Sequence, residues 1–229
     1  MSVVAVVVGA GEGARLGAGA PKALVRVAGR TLAGWSADAL GRAAGVDALL
    51  CVLPEGARLE EEWSAPAELL PAVSGGETRQ RSVARGLEQI ARLRPGTEWV
   101  LIHDAARCLV LPRDAEVVLE AARPSGAAIP VVAATDTVKE VADGVVVRTL
   151  DRARLALVQT PQAFRFELLR EAVEKARRDG FEGTDCASLV ERLGVPVRTC
   201  PGRPGNWKVT TPRDLERAEE QLREGRGGA

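Results

Sequence analysis

Arg15 and Lys22 stand in a glycine-rich loop, "GAGEGARLGAGAPKA", that directly follows six apolar residues, Val3 to Val8. A buried strand that ends in such a loop presents unpaired backbone N–H groups, and the glycines let backbone approach an anion closely. Lys adds a compact charge and Arg a planar two-pronged donor, both suited to phosphoryl oxygens. The chemistry this invites is the holding of a nucleotide's phosphates; a plain turn with two solvated cations is the ordinary alternative. Gly9-Ala10-Gly11-Glu12-Gly13-Ala14 also satisfies the dinucleotide fingerprint G-x-G-x-x-G/A. That fingerprint needs a long helix opening at its last small residue and an acid about twenty residues on. Pro21 interrupts early, and the corresponding region, "VAGRTLAG", has no acid.

Further candidates follow along the chain. In "SGGETRQRSVARGL", Thr78 can cap a helix carrying Val83, Leu87 and Ile90 on one face, and that helix start suits either a ribose or base edge or simply a cap. "EWVLIHDAARCLV" reads as a buried strand ending in His103-Asp104, then Arg107. Ligands of open α/β sheets gather at the carboxyl ends of strands, where a carboxylate beside phosphates is a natural Mg²⁺ ligand. Phosphate nucleophiles are already ionised, so His103, the sole histidine, is read as a packed, hydrogen-bonded side chain rather than a general base. "LDRARLALVQTPQAF" reads as a loop, while Thr184-Asp185 and Thr211-Pro212 read as helix caps.

The elements that must position these residues alternate in type. Strands are expected near 3–8, 47–53, 98–103, 127–132 and 195–200, and helices near 31–44, 78–93, 112–122, 165–178, 185–193 and 211–224. This is the rhythm of an α/β sheet with helices on both faces. "TVKEVADGVVVRTL" breaks it with a hairpin signal around Asp143-Gly144, which either extends a sheet edge or projects towards another subunit. The 229 residues suit one domain, with a tail from about 224 to 229 expected to fray.

Composition narrows the function classes. Thirty-one basic residues balance 31 acidic ones, which leaves no electrostatic footprint for nucleic acid or an anionic membrane. Aromatics are only 3% and Tyr is absent, so base-stacking platforms are not expected. Only four of the basic residues, at 22, 139, 175 and 208, are lysines, so a lysine beside a Gly or Pro loop, such as Lys22 after Pro21, draws attention. Cys51, Cys108, Cys186 and Cys200 form no CxxC pair and are expected to be reduced, structural and cytoplasmic. The first apolar run has no basic leader and stops within ten residues, unlike a signal peptide or a membrane span.

In order, "GAGEGARLGAGAPKA", "GGETRQRSV", "HDAAR", "DTVK", "DR", "QTPQAF", "TDCASLVE" and "NWKVTTPRDL" run from about residue 4 to residue 222. With these motifs the chain resembles the 2-C-methyl-D-erythritol 4-phosphate cytidylyltransferase family of the non-mevalonate isoprenoid pathway. The resemblance implies a three-layer α/β/α nucleotidyltransferase fold with a mostly parallel sheet and a projecting β-hairpin arm, about 136–158, that joins a homodimer. It implies CTP and a polyol phosphate as substrates, with Mg²⁺ or another divalent cation, and neither nucleic acid nor membrane as partner. Arg15 and Lys22 match the residues that steady the transition state on the CTP phosphates. Ala10, Gly11, Gly76, Glu77 and Ser82 match cytidine-binding positions. Asp104 matches the residue near nucleotide, metal and acceptor, with Arg107 beside it. Thr137, Arg152, Thr160 and Thr184 match the methylerythritol-phosphate side, Arg152 holding the attacking phosphate, and Lys208 lies near both substrates. The chain departs from the family pattern at Val8-Gly9-Ala10-Gly11, Cys108 and Ala23, where "PAAG", Pro and Gln are usual. Ribitol-phosphate cytidylyltransferases share most of these motifs and give the alternative acceptor. An NAD(P)-dependent oxidoreductase and a catalytically idle nucleotide-binding protein remain as readings from other classes.

Overall fold

Strand β1 (Val3–Val8) is buried along its whole length because both of its faces are covered. In this computed structural model, which describes residues 1–11 and 20–226, Val3, Ala5 and Val7 face one hydrophobic layer, and Val4, Val6 and Val8 face the other. Period-2 alternation thus gives a fully apolar strand, as in parallel sheets sandwiched by helices. The first layer holds α1 (Leu32–Gly41) and α3 (Pro112–Ala122); the second holds α2 (Arg79–Leu93), α4 (Phe166–Arg178) and α5 (Cys186–Glu191). The expected three-layer architecture is present.

Between β1 and α1, a short 3-10 turn at Lys22–Leu24 leads into a small antiparallel pair, β2 (Arg26–Val27) and β3 (Arg30–Thr31). Residues 20–31 are thus turn and hairpin, and no long helix from Ala14 runs through them. That removes the second element a dinucleotide fold requires. The chain continues through β4 (Ala48–Leu53), β5 (Glu68–Leu69), β6 (Val73–Ser74), β7 (Trp99–Asp104) and β8 (Ala127–Ala133). The hairpin β9 (Lys139–Ala142) and β10 (Val145–Thr149) comes next, then β11 (Ala156–Val158) and β12 (Gln162–Arg165). Strand β13 (Arg198–Pro201) and helix α6 (Pro212–Arg226) end the described chain.

The main sheet runs β11-β8-β12-β7-β1-β4-β5, with β6 also on β4 and β13 on β8. Pairings of β1 with β4 and β7, of β4 with β5 and β6, and of β13 with β8 are parallel; those made by β11 and β12 are antiparallel. Strand β12 corrects the loop expected across "LDRARLALVQTPQAF". Its four residues gain strand geometry by pairing with β7 on one side and β8 on the other, a tertiary cause that no local pattern carries. Within the same stretch, Arg152–Arg154 form a 3-10 turn and β11 rejoins the main sheet edge.

Among the described residues, hairpin β9–β10 pairs only with itself. Asp143 and Gly144 both take positive φ, 48° and 78°, the two-residue turn that an Asp-Gly pair favours. Every residue of both strands is exposed. Helix α6 is described to Arg226, and the tail expected from about 224 to 229 lies partly outside the described residues, which end there.

Candidate active site

The carboxyl ends of β1 and β7 and the segment after β6 converge on one cavity of about 620 Å³, lined by residues 8–11, 22–23, 76–79, 82, 104–106 and 208. This is where open α/β sheets place their ligands. Gly9 and Gly75 permit the convergence. A Cβ on Gly9 would lie 2.6 Å from Ala23 Cβ, and one on Gly75 2.0 Å from Ala10 Cβ. The loop after β1 and the loop before α2 therefore touch through glycines.

Helix α2 starts at the cavity wall because Thr78 caps it, its Oγ1 accepting from Arg81 N–H at 3.2 Å. Ser82 Oγ accepts from Gly76 N–H at 3.1 Å and donates to Thr78 O at 2.9 Å, so one buried hydroxyl sets the loop's shape. Glu77 points to solvent and pairs with Arg81.

Asp104 closes β7 at the cavity floor. Its Oδ1 accepts from Arg79 Nε at 2.8 Å and its Oδ2 from Lys208 Nζ at 2.7 Å. Burial works to raise the Asp104 carboxyl, but the charges and hydrogen bonds of Arg79 and Lys208 outweigh it and hold the group well below the usual carboxylate range. The carboxylate is therefore anionic at neutral pH. Among the described residues no cluster of three or more His, Cys, Asp or Glu side chains builds a metal site from protein alone. A single anionic carboxylate at the edge of this cavity still fits the habit of Mg²⁺, which takes one or two carboxylates together with substrate phosphates and water.

His103 is fully buried next to Asp104, and burial pulls its pKa down to about 4. Thr160 Oγ1 accepts from Asp104 N–H at 3.1 Å and lies 3.0 Å from His103 Nδ1. Arg107 O, 3.3 Å from Nε2, can only accept, so the neutral ring carries its proton on Nε2 and its Nδ1 accepts from the Thr160 hydroxyl. His103 is thus a structural pin, as its sequence context implied.

The cavity gathers Lys22, Lys208, Ala10, Gly11, Gly76, Glu77, Ser82 and Asp104 from the expected set. Arg15 lies outside the described residues. Arg107, Thr137, Arg152, Thr160 and Thr184 do not line it. Arg107 spends its guanidinium on Asn206 O at 2.9 Å and Val158 O at 3.0 Å. Arg152 donates to Thr135 O at 2.6 Å, at the root of the hairpin, and Thr137 and Thr184 are exposed. The sequence reading missed Arg79. A signal was present: a cation at the first position of a helix opposes the macrodipole and calls for an anionic partner.

A sheet crevice bearing a glycine-rich loop, two lysines and a clamped carboxylate defines a nucleotide-binding α/β protein of the nucleotidyltransferase class. Residues 3–224 match the family model described as "IspD: 2-C-methyl-D-erythritol 4-phosphate cytidylyltransferase". The chain belongs to that family. It is 41% identical over 231 residues to the 2-C-methyl-D-erythritol 4-phosphate cytidylyltransferase of Syntrophus aciditrophicus, covering 98% of this chain and 97% of the relative. It is 43% identical over 221 residues to a "Bifunctional enzyme IspD/IspF" of Rhodopseudomonas palustris, covering 95% of this chain but 55% of the relative, so it spans about half of such bifunctional proteins. The crystal structure of the cytidylyltransferase from Thermus thermophilus superposes with a TM-score of 0.77 at 40% identity, covering 97% of this chain and 98% of that one.

Proposed function

We propose that this chain transfers CMP from CTP to 2-C-methyl-D-erythritol 4-phosphate, giving 4-diphosphocytidyl-2-C-methyl-D-erythritol and pyrophosphate. The observation that carries the reading is the cavity itself: Lys22, Lys208 and the anionic Asp104 converge with the Ala10 and Gly76 loops at the end of the sheet. A phosphate oxygen of the acceptor attacks the α-phosphorus of CTP in line. The new P–O bond forms as the bond to the bridging oxygen of the β-phosphate breaks, and pyrophosphate departs with the electron pair.

Bringing two polyanions together is the main barrier, so positioning and charge neutralisation do most of the work. Lys22 and Lys208 supply positive charge where it develops, with Arg15 assigned the same role from the family pattern. Backbone groups of residues 10–11 and 76, with Ser82 holding their geometry, take the nucleobase and ribose side. No general base is needed, and neutral, buried His103 is not placed to be one. Asp104 would hold a divalent cation together with the nucleotide phosphates; when bound, that ion supplies further charge neutralisation there.

The acceptor side takes Arg107, Thr137, Arg152, Thr160 and Thr184 from the family pattern. The hairpin exposes Val141, Val145, Val146 and Val147, and Leu157 and Val158 expose a further apolar edge. Exposed apolar side chains on these strands fit a protein partner, and the second copy of this chain is the partner proposed, through an arm spanning about 136–158 of a single 1–229 domain. Four buried free thiols suit a cytoplasmic enzyme, and no helix among the described residues is long and apolar enough to cross a membrane. Pyrophosphate release from each nucleoside triphosphate against a panel of polyol phosphates tests the reading. Turnover with CTP and methylerythritol phosphate, well above ribitol phosphate and UTP, is expected; equal kcat/KM for either competitor overturns that part of the assignment.

A further inference from the structure

Arg79 holds an unusual place. It is the first residue of α2, where the helix dipole disfavours a cation, yet its side chain is only 26% exposed. What secures it is contact with two distant segments: Nε donates to Asp104 Oδ1 at 2.8 Å, and Nη1 lies 3.5 Å from Cys186 Sγ at the start of α5. The guanidinium is planar and held on both sides, so it fixes a direction as well as a charge.

Lys208, the other partner of Asp104, differs in kind. Its side chain is 41% exposed, carries a flexible stem and among the described residues meets the other oxygen, Oδ2. One oxygen of Asp104 is thus gripped by a rigid, mostly buried group, and the other by an exposed ammonium able to exchange partners. Arg107, three residues from Asp104, turns its two Nη groups to Asn206 O and Val158 O instead, and its buried Nε has no hydrogen-bond partner among the described residues.

We propose that Arg79 is a positioning residue for the transfer: by holding Asp104 Oδ1 it leaves Lys208 a single carboxylate oxygen, which keeps the ammonium presented to the cavity. Without Arg79, the Asp104 carboxylate turns and takes Lys208 with both oxygens, withdrawing that charge from the reacting phosphates. The inference rests on the functional reading above, and its test is built so that each can fail separately.

Wild-type protein is assayed first for pyrophosphate release from CTP and methylerythritol phosphate; inactivity there defeats the functional reading alone. Arg79→Gln, Arg79→Lys, Asp104→Asn and the double variant Arg79→Gln/Asp104→Asn are then compared, with thermal unfolding to count the folded fraction. Arg79→Gln is expected to lower kcat by about 10- to 100-fold with KM for CTP within about threefold, the scale of a misplaced group. Arg79→Lys recovers part of that loss. In the Asp104→Asn background, Arg79→Gln changes kcat by less than about twofold, because its route is already cut. A second readout needs no turnover: the rate of amine acetylation at Lys208, followed by mass spectrometry. It falls in Arg79→Gln and is equal in Asp104→Asn and the double variant. Wild-type kcat in Arg79→Gln, losses that multiply in the double variant, or acetylation unchanged by Arg79→Gln would overturn the proposal.

Discussion

Gly75→Ala presses on the narrowest point of the nucleotide cradle. The added Cβ would stand 2.0 Å from Ala10 Cβ and 2.8 Å from Ser82 Oγ, and Ala10 has no flexible end to swing away. Ordinary carbon contact needs about 3.5–4 Å, so the two loops must part by more than about 1 Å. Overpacking of this kind costs about 1–3 kcal/mol, and at about 2–4 °C per kcal/mol for a chain of this size the melting temperature falls by several degrees. The larger effect is functional, since a displacement of about 1 Å in a positioning loop can cost up to about 10²-fold in rate. Steady-state pyrophosphate release should show KM for CTP raised and kcat lowered, with KM for the acceptor changing less. Ala10→Gly in the same chain removes the nearest clashing atom, leaving Ala10 Cα at 3.5 Å, and should restore part of both. Unchanged kinetics and melting temperature in Gly75→Ala, or no relief from Ala10→Gly, would show that the loops do not meet as described.

Lys22→Ala should lower kcat by about 10²–10³, the scale for losing one transition-state charge contact; wild-type turnover in the folded variant removes Lys22 from the chemistry. Arg152 sits at the hairpin root, outside its own chain's cavity, so mixing inactive Lys22→Ala and Arg152→Ala proteins under subunit exchange should return about a quarter of wild-type activity. A mixture that stays inactive despite verified exchange places Arg152 in its own subunit's site. At the start of α6, burial works to raise Asp214, but hydrogen bonds from Thr210 and Thr211 bring it down to about 2. Its folded pKa lies below the unfolded value, so its stabilisation is complete above about pH 4 and is lost as pH falls towards about 2; Asp214→Asn should flatten that part of a urea-stability profile, and an unaltered profile refutes the assignment. Burial pushes the Cys51 and Cys108 thiols up to about 12 and Cys200 to about 11, and raises Cys186 as well. A thiol reagent at about pH 8 should find almost none of the four in native protein and all of them in denaturant; rapid native labelling contradicts this packing.

Those parts of the fold whose cause is local were readable from the chain. An apolar run gave β1, an apolar run ending in His-Asp gave β7, and Asp143-Gly144 dictated its own turn. The caps at Thr78, Asp185 and Thr211 are also local, since each side chain accepts from a backbone N–H three residues on. What escaped has causes far away in sequence. Gln162 reads as loop because Pro161 precedes it and the strand is four residues long, yet its amide is satisfied in the core by Asp185 and the Cys186 N–H. Arg79 lay inside a recognised motif, but its partner is 25 residues on, and nothing in the spacing says that Arg79 rather than Arg107 would meet Asp104. Several of the family motifs meet at the cavity, while which cation hydrogen-bonds Asp104 shows only in the folded chain.

The proposed transfer makes a bond between the α-phosphorus of CTP and a phosphate oxygen of the acceptor. Phosphorus NMR of wild-type protein with CTP, methylerythritol phosphate and Mg²⁺ tests it most directly. Loss of the CTP and monoester signals, growth of two mutually coupled diphosphate doublets, and pyrophosphate in equal amount are expected. Persistence of the acceptor monoester while CTP is intact, or its persistence while CTP is hydrolysed to CMP, would contradict it.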